Sequence, residues 1–259
     1  MKTRFAPSPT GYLHLGHVMA AKAVFDFSVD RNAQCLLRIE DIDQTRCRPE
    51  FTQAIFDDLG WLGFSWPQPV RLQSEHMSDY QSALATLRGQ GLLYECFKTR
   101  SELAAACPAP LSKAELAQRL SAGKPYALRL SIKACKASLS GKALSYIDNE
   151  QEKIINLDKL EDIVVARKDI GTSYHIAVTH DDMAQNITHV IRGEDLQDQT
   201  PYHVLIQTLM SWPVPIYHHH TLIMDKEGQK LSKRSFSASI ASMRELGHTP
   251  QDILARAVI

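Results

Sequence analysis

The sequence has no charge excess: Lys plus Arg number 29 and Asp plus Glu number 29. That balance does not favour a protein that grips nucleic acid through bulk charge, though a local basic face stays compatible with it. No stretch approaches the ~20 apolar residues of a membrane span. No apolar signal core opens the chain either, because Arg4, Pro7 and Pro9 interrupt it. A cytoplasmic protein without a membrane partner is expected. Cysteine is scarce, with Cys35, Cys47, Cys96, Cys107 and Cys135 the only five. Their number is odd and no C-x-x-C pair occurs, which argues against a disulfide framework or a self-evident zinc site and for reduced thiols. No internal repeat is visible. What remains is ordinary: 259 residues, 44% hydrophobic and 22% charged, enough for one large or two modest globular domains.

The chain is organised around its first seventeen residues, Met1 to His17. Thr3 to Phe5 can form a short strand. Pro7, Pro9 and Gly11 then force a turn. From about Gly16, the spacing of Val18, Ala21, Val24 and Phe25 predicts a helix to about Asp30. His14 and His17 fall at its N-terminus, where unpaired N–H groups and the helix dipole attract phosphate. Gly16 between them carries no side chain, so a base or ribose can approach the backbone. The plainer reading is a strand–helix junction with two surface histidines. Far along the chain, Lys230-Leu231-Ser232-Lys233-Arg234 follows the turn Asp225–Gly228. On its own it reads as a solvated basic loop.

Cys35–Ile39 reads as a buried strand ending in Glu40-Asp41-Ile42-Asp43. Strand, helix, parallel strand is the crossover unit of a doubly wound α/β sheet, whose ligands bind beyond the carboxyl ends of the strands. Glu40 sits at that edge, as a ligand-binding acid or as a capping or solvent-facing one. Helices are expected at Pro49–Leu59 and Ser78–Gly89, with a short strand at Arg71–Ser74. From about Leu92 the composition shifts. Ser112–Leu120 suggests an amphipathic helix and Tyr126–Leu130 a strand, while 131–160 is Lys- and Ser-rich and weakly patterned. Lys113, Arg119, Lys124, Arg129, Lys133, Lys136 and Lys142 make this stretch basic, either as a solvated face or as a contact surface for RNA phosphates. Glu161–Arg167 resumes a buried strand. A turn at Asp169–Thr172 leads into Ser173–Ala177, and Ile187–Ile191 is a parallel-type strand ending in Arg192. Thr200 is expected to N-cap a helix with Pro201 at its first position. Ile216–Met224 looks extended. Of its histidines, His218 to His220, at most two share a face, so a metal site is the lesser alternative there. One or two short helices close the chain.

The phosphate-attracting turn and the late lysine pair, taken together and in this order, resemble the two nucleotide-binding (HIGH-type and KMSKS-type) signatures of class I aminoacyl-tRNA synthetases. Arg4-Phe5-Ala6-Pro7-Ser8-Pro9-Thr10-Gly11, Arg38–Asp43 and His189–Asp195 narrow the resemblance to the glutamate branch. The glutamine branch typically carries a Pro-Glu-Pro-Asn-like opening where this chain has Pro7-Ser8-Pro9-Thr10. The likeness covers about 1–90 and 162–250. It implies a Rossmann-type catalytic domain in two halves, 1–91 and 161–234, with an inserted small α+β subdomain at 92–160 and a short helical tail at 235–259. Only that tail follows Arg234, where full-length family members continue into an anticodon-binding region. The brevity resembles the truncated branch of the family, the glutamyl-Q tRNA(Asp) synthetases, which activate glutamate and attach it to queuosine in the anticodon of tRNA(Asp).

This resemblance implies the substrates L-glutamate and ATP with Mg²⁺, an anticodon loop of tRNA(Asp) as partner, and action as a monomer. It implies that His14, Gly16, His17, Lys230, Ser232 and Lys233 bind ATP, with the two histidines and two lysines stabilising charge on the phosphates. Arg4, Phe5, Ala6, Pro7, Ser8, Glu40, Tyr174 and Arg192 would bind glutamate. Arg4 is the first candidate for the side-chain carboxylate and Arg192 the second; an internal ion pair is the other reading of Arg4. The family often carries zinc in the insertion through a Cys-x-Cys pair, but here Lys98 stands at the second position, so zinc is not expected. The alternatives are a compact glutamyl-tRNA synthetase that charges an acceptor end and a catalytically silent RNA-binding paralogue.

Overall fold

Parallel strands form the centre of the molecule. The computed structural model describes all residues except 100–101, 104–107, 222–237 and 258–259. β1 (Lys2–Phe5) runs parallel to β2 (Gln34–Ile39), with Phe5 opposite Leu37, and β3 (Arg71–Leu72) lies parallel on the far side of β2. The crossover between β1 and β2 is α1 (Leu15–Asp30). Its Val18, Ala21, Val24 and Phe25 recur at helical spacing and are buried; each large apolar side chain contributes about 1.5–3 kcal/mol. Phe25 also stacks on Phe64, with ring centroids 4.6 Å apart. α2 (Pro49–Trp61) begins on a proline, whose missing N–H costs nothing in a first turn.

A second parallel group is formed by β6 (Leu144–Asp148), β9 (His189–Gly193) and β10 (Ile216–His220), with β10 between the others. β7 (Gln151–Ile155) is its antiparallel edge. The two groups meet where Thr188 donates its N–H to the Lys2 carbonyl and Lys2 donates its N–H to Thr188 Oγ1, each at 2.9 Å. The carboxyl ends of β1 and β9 therefore open side by side, at the switch point where doubly wound sheets hold ligands. This is the α/β architecture expected from the sequence.

A third sheet is antiparallel: β4 (Leu93–Cys96), β5 (Ala127–Leu130) and β8 (Ile163–Ala166). Strand pairing thus does not follow chain boundaries at 92 and 160. β8 completes the sheet of β4 and β5, while β6, from inside 92–160, joins β10. The helices α3 (Met77–Gly89), α6 (Tyr174–Ala184) and α7 (Thr200–Leu209) pack against these strands. Among the described residues, no helix is long and apolar enough to cross a membrane.

Two local expectations need correction, and two stretches of open type take definite form. Arg71–Ser74 is strand only at Arg71–Leu72, because Asp41 captures the Ser74 N–H (2.8 Å) and hydroxyl (2.6 Å) and turns Gln73–His76 into a 3₁₀ helix. The weakly patterned 131–160 holds α5 (Ile132–Leu139) and the β6–β7 hairpin. The hairpin turns through Asn149 and Glu150, both left-handed (φ 48° and 65°). Ser173 is the N-cap of α6, and Tyr174–Ala177 is its first turn. Thr200 does not cap α7: Gln199 holds that place, and the Thr200 hydroxyl turns inward to Arg192 and His219. The helices Lys113–Ser121 (α4), Ile240–Glu245 (α8) and Pro250–Arg256 (α9) are N-capped by Ser112, Ser239 and Thr249, each of whose hydroxyls accepts from the N–H of the third helical residue.

Candidate active site

The turn after β1 is pinned before any side chain acts. Glu40 donates its N–H to the Pro7 carbonyl (3.0 Å) and Arg48 donates to that of Pro9 (3.2 Å), which ties the turn to the end of β2. α1 then starts at Leu15, and the backbone N–H of His14 donates to His17 Nδ1 at 3.2 Å. The acceptor role of Nδ1 leaves a neutral His17 with its proton on Nε2. The two imidazole rings lie 3.8 Å apart. A Cβ at Gly16 would come within 3.1 Å of His14 Cε1, so this close packing depends on glycine. Chain continuity brings the far end of the sequence to the same place: Ile240 donates its N–H to the Leu13 carbonyl at 2.8 Å, one residue before His14. Lys230, Ser232 and Lys233 lie outside the described residues.

Beside this turn is a cavity of about 330 Å³ whose lining includes Ser8, Thr10, Glu40, Gln73, Tyr174 and His175. Burial raises the Glu40 carboxyl above its ordinary range, against the pull of Arg38 and Arg4. Phe5 and Pro7 are buried beneath the turn, and Ser8 is exposed at its tip.

Two arginines lie at the strand ends, and their surroundings differ. Arg4 is paired: its Nε donates to Asp182 Oδ1 at 2.9 Å, and Arg38, fully buried, donates to the same oxygen at 2.9 Å. Arg192 is also buried, but among the described residues its partners are neutral. Its Nη2 donates to Thr200 Oγ1 (2.6 Å) and its Nε to His219 Nε2 (3.2 Å). Its Nη1 reaches the Tyr174 hydroxyl (3.5 Å) and His203 Nδ1 (3.3 Å). Burial, and then Arg192 itself, pushes His175 down to about 4 and His203 well below its ordinary value. A buried guanidinium with no direct ion-pair partner among the described residues is costly, so this one is suited to an anionic ligand.

The sequence reading brings Arg4, Ser8, His14, His17, Glu40, Tyr174 and Arg192 to one edge of the fold. It misses Asp182, Arg38, Asp181, His203 and the inward role of His219. Asp181 accepts from Arg71 Nε (2.8 Å), Gln73 Nε2 (2.9 Å) and the Tyr80 hydroxyl (2.9 Å). Reading 174–184 as a helix would have placed Tyr174, Asp181, Asp182 and Gln185 on neighbouring positions of one face. Cys107 lies outside the described residues, and among those described no group of His, Cys, Asp or Glu is arranged to hold a metal ion.

A family model described as tRNA synthetases class I (E and Q), catalytic domain, matches residues 1–258. The chain belongs to that family. It is 39% identical to a protein named glutamyl-Q tRNA(Asp) synthetase from Rhodobacter capsulatus, over 98% of this chain and 98% of that one. It is 36% identical to a protein of the same name from Nocardia farcinica, over 97% of this chain and 82% of the relative. The crystal structure of glutamate-tRNA synthetase from Elizabethkingia anophelis superposes with a TM-score of 0.78 at 29% identity, covering 91% of this chain. This chain spans about half (53%) of that longer synthetase. Class I tRNA synthetase-like ligase chemistry is thus the property of its family.

Proposed function

We propose that this protein activates L-glutamate with ATP and transfers it to queuosine in the anticodon of tRNA(Asp). The observation that carries the reading is Arg192: a buried cation whose partners among the described residues are neutral, one of them Tyr174, which lines a cavity together with Glu40 and Ser8. Such a site fits the side-chain carboxylate of glutamate, with Glu40 accepting from its α-ammonium and Ser8 and Tyr174 adding hydrogen bonds. Arg4, already paired with Asp182, adds positive potential; Arg192 takes the leading place. Phe5, Ala6 and Pro7 set the path of the turn that carries Ser8.

In the first step a glutamate carboxylate oxygen attacks the α-phosphorus of ATP and pyrophosphate leaves, giving glutamyl-adenylate. Charge grows on the phosphate oxygens. His14 and the Nε2–H of His17 donate to them, with the α1 N-terminus and the open face at Gly16 behind. Lys230, Ser232 and Lys233 hold the pyrophosphate, and Mg²⁺ accompanies the nucleotide phosphates. In the second step a hydroxyl of the queuosine ring attacks the activated carbonyl and AMP leaves. Identities of 39% and 36% to two proteins that carry the glutamyl-Q name support the tRNA-modifying reading.

ATP–pyrophosphate exchange tests the first step. Exchange is expected with glutamate and not with glutamine or aspartate. Exchange that ignores the amino acid, or none at all, would overturn the reading and favour a silent RNA-binding paralogue.

A further inference from the structure

Of the three consecutive histidines on β10, only His219 points inward; His218 and His220 are half-buried on the other face. His219 is enclosed. Its ring stacks on Tyr217, with centroids 5.9 Å apart and planes 2° from parallel. Its Nδ1 lies 2.9 Å from Asp148 Oδ2, and both side chains are almost fully buried. Its backbone N–H donates to Asp148 Oδ1 (3.2 Å), and its carbonyl accepts from Asn149 Nδ2 (3.0 Å). Asp148 is held from the other side by Gln197 Nε2 at 3.2 Å. The opposite ring nitrogen, Nε2, faces the Arg192 Nε–H (3.2 Å) and the Thr200 hydroxyl (3.0 Å).

These contacts fix the chemistry of the ring. The Arg192 Nε–H can only donate, so His219 Nε2 must carry a lone pair. The proton of the neutral imidazole then sits on Nδ1, which lies 2.9 Å from the Asp148 carboxylate and is favoured there by its negative charge, without the angle of a hydrogen bond. The Thr200 hydroxyl accepts from Arg192 Nη2 and donates to His219 Nε2, which closes the set. His203 repeats the scheme on the other guanidinium nitrogen. Its Nδ1 accepts from Arg192 Nη1, so its Nε2–H turns to His175 Nδ1 at 3.1 Å.

We propose that Asp148 and His219 are positioning residues for glutamate selection: the carboxylate locks His219 in its Nδ1–H tautomer, and that tautomer fixes the plane and reach of the Arg192 guanidinium. The inference rests on the reading of Arg192 as the glutamate anchor and adds its two supporting residues. Neither residue touches substrate. His219, Thr200, His203 and Tyr174 take four of the five guanidinium N–H groups, so a fixed plane aims the remaining Nη2 N–H and the positive charge at one place, which favours the carboxylate of glutamate over an uncharged amide. An Arg192 free to rotate would still carry charge but lose that direction.

Three measurements test this together. Long-range ¹H–¹⁵N correlation on the ¹⁵N-histidine protein, with the His219 signals assigned by their loss in His219→Gln, should show a neutral ring protonated at Nδ1. A ring protonated at Nε2, or at both nitrogens, at pH 7.5 would overturn the lock without any reference to activity. In pyrophosphate exchange, His219→Phe should raise KM for glutamate about 10-fold or more, the scale of one lost hydrogen bond to a charged group. KM for ATP should hold within about 2-fold, and His219→Gln, which keeps an acceptor toward Arg192, should recover most of the loss. Arg192→Lys distinguishes the two levels. If it leaves KM for glutamate unchanged, the anchor reading is wrong. If it raises that KM strongly while His219→Phe and Asp148→Asn do not, the positioning inference is wrong. In the Arg192→Lys background, His219→Phe should add little; a full additive loss would also count against it.

Discussion

Asp182→Asn probes the charge cluster beneath the cavity. Four charged groups meet there: the guanidinium groups of Arg4 and Arg38 and the carboxylates of Asp182 and Glu40. Arg4 and Asp182 are about one-twentieth exposed and Arg38 not at all. Asp182 Oδ1 takes a bond from each arginine at 2.9 Å, whereas Glu40 is 3.4 Å from Arg38 alone. The asparagine is nearly isosteric and keeps one carbonyl acceptor, so packing hardly changes. It leaves two buried cations against one weaker acid partner. Removing one partner from a buried ion pair costs about 3–5 kcal/mol, most of it the stranded charge. For a chain of this size, that is a fall in Tm of roughly 6–20 °C. Urea denaturation followed by circular dichroism measures it. Lys136→Ala is the control, because its exposed pairing with Asp158 should contribute less than about 1 kcal/mol. An Asp182→Asn protein no less stable than the Lys136→Ala protein would refute the reasoning that this network is a buried, mutually dependent unit.

Other outcomes follow from single contacts. His17→Ala should lower the exchange rate by about 10²–10³ with the fold intact, the usual cost of one donor to developing charge; an unchanged rate would remove His17 from the phosphate site. Gly16→Ala places a Cβ within 3.1 Å of the His14 ring, and the displaced ring should cost roughly 10-fold in exchange with little change in Tm. Asp58 is buried, has an unpartnered Oδ2, and burial pushes its carboxyl up to about 6. The folded state therefore holds a proton that the unfolded chain loses near pH 3.8, and stability drops as pH rises from there through about 6. Asp58→Asn should match the parent at pH 4 and exceed it at pH 7.5, and equal stabilities at both values would exclude this account. His175 works in the opposite direction. Because its folded value is about 4, the unfolded chain takes up more protons between pH 6.5 and 4, and stability falls as pH is lowered through that window. His175→Gln should flatten that acid-side slope in thermal melts.

Much of the fold is written in short-range signals. β1, α1 and β2 are legible because proline, glycine and a helical apolar stripe follow one another within forty residues. The phosphate-attracting turn is legible for the same reason: its histidines lie next to the glycine that lets them pack. The network below the site is not local. Arg4 and Asp182 are 178 positions apart, and His219 and Asp148 are 71 apart. No periodicity joins such pairs; the parallel order of β9, β10 and β6 brings Asp148 to His219, and the packing of α6 brings Asp182 to Arg4 on β1. Asp148 illustrates the difficulty. It occupies an inward position of an alternating strand after Leu144 and Tyr146, where a carboxylate breaks the apolar pattern and looks like a strand end. It is tolerated there because His219 and Gln197 satisfy it.

Transfer of labelled glutamate to tRNA tests the central claim most directly. Purified tRNA(Asp) with queuosine, the same tRNA lacking queuosine, and tRNA(Glu) would be incubated with the protein, ATP, Mg²⁺ and glutamate at a stated salt concentration. Label should appear on the queuosine-containing tRNA(Asp) alone. Equal labelling of the two forms of tRNA(Asp), or labelling of tRNA(Glu) at its acceptor end, would contradict it.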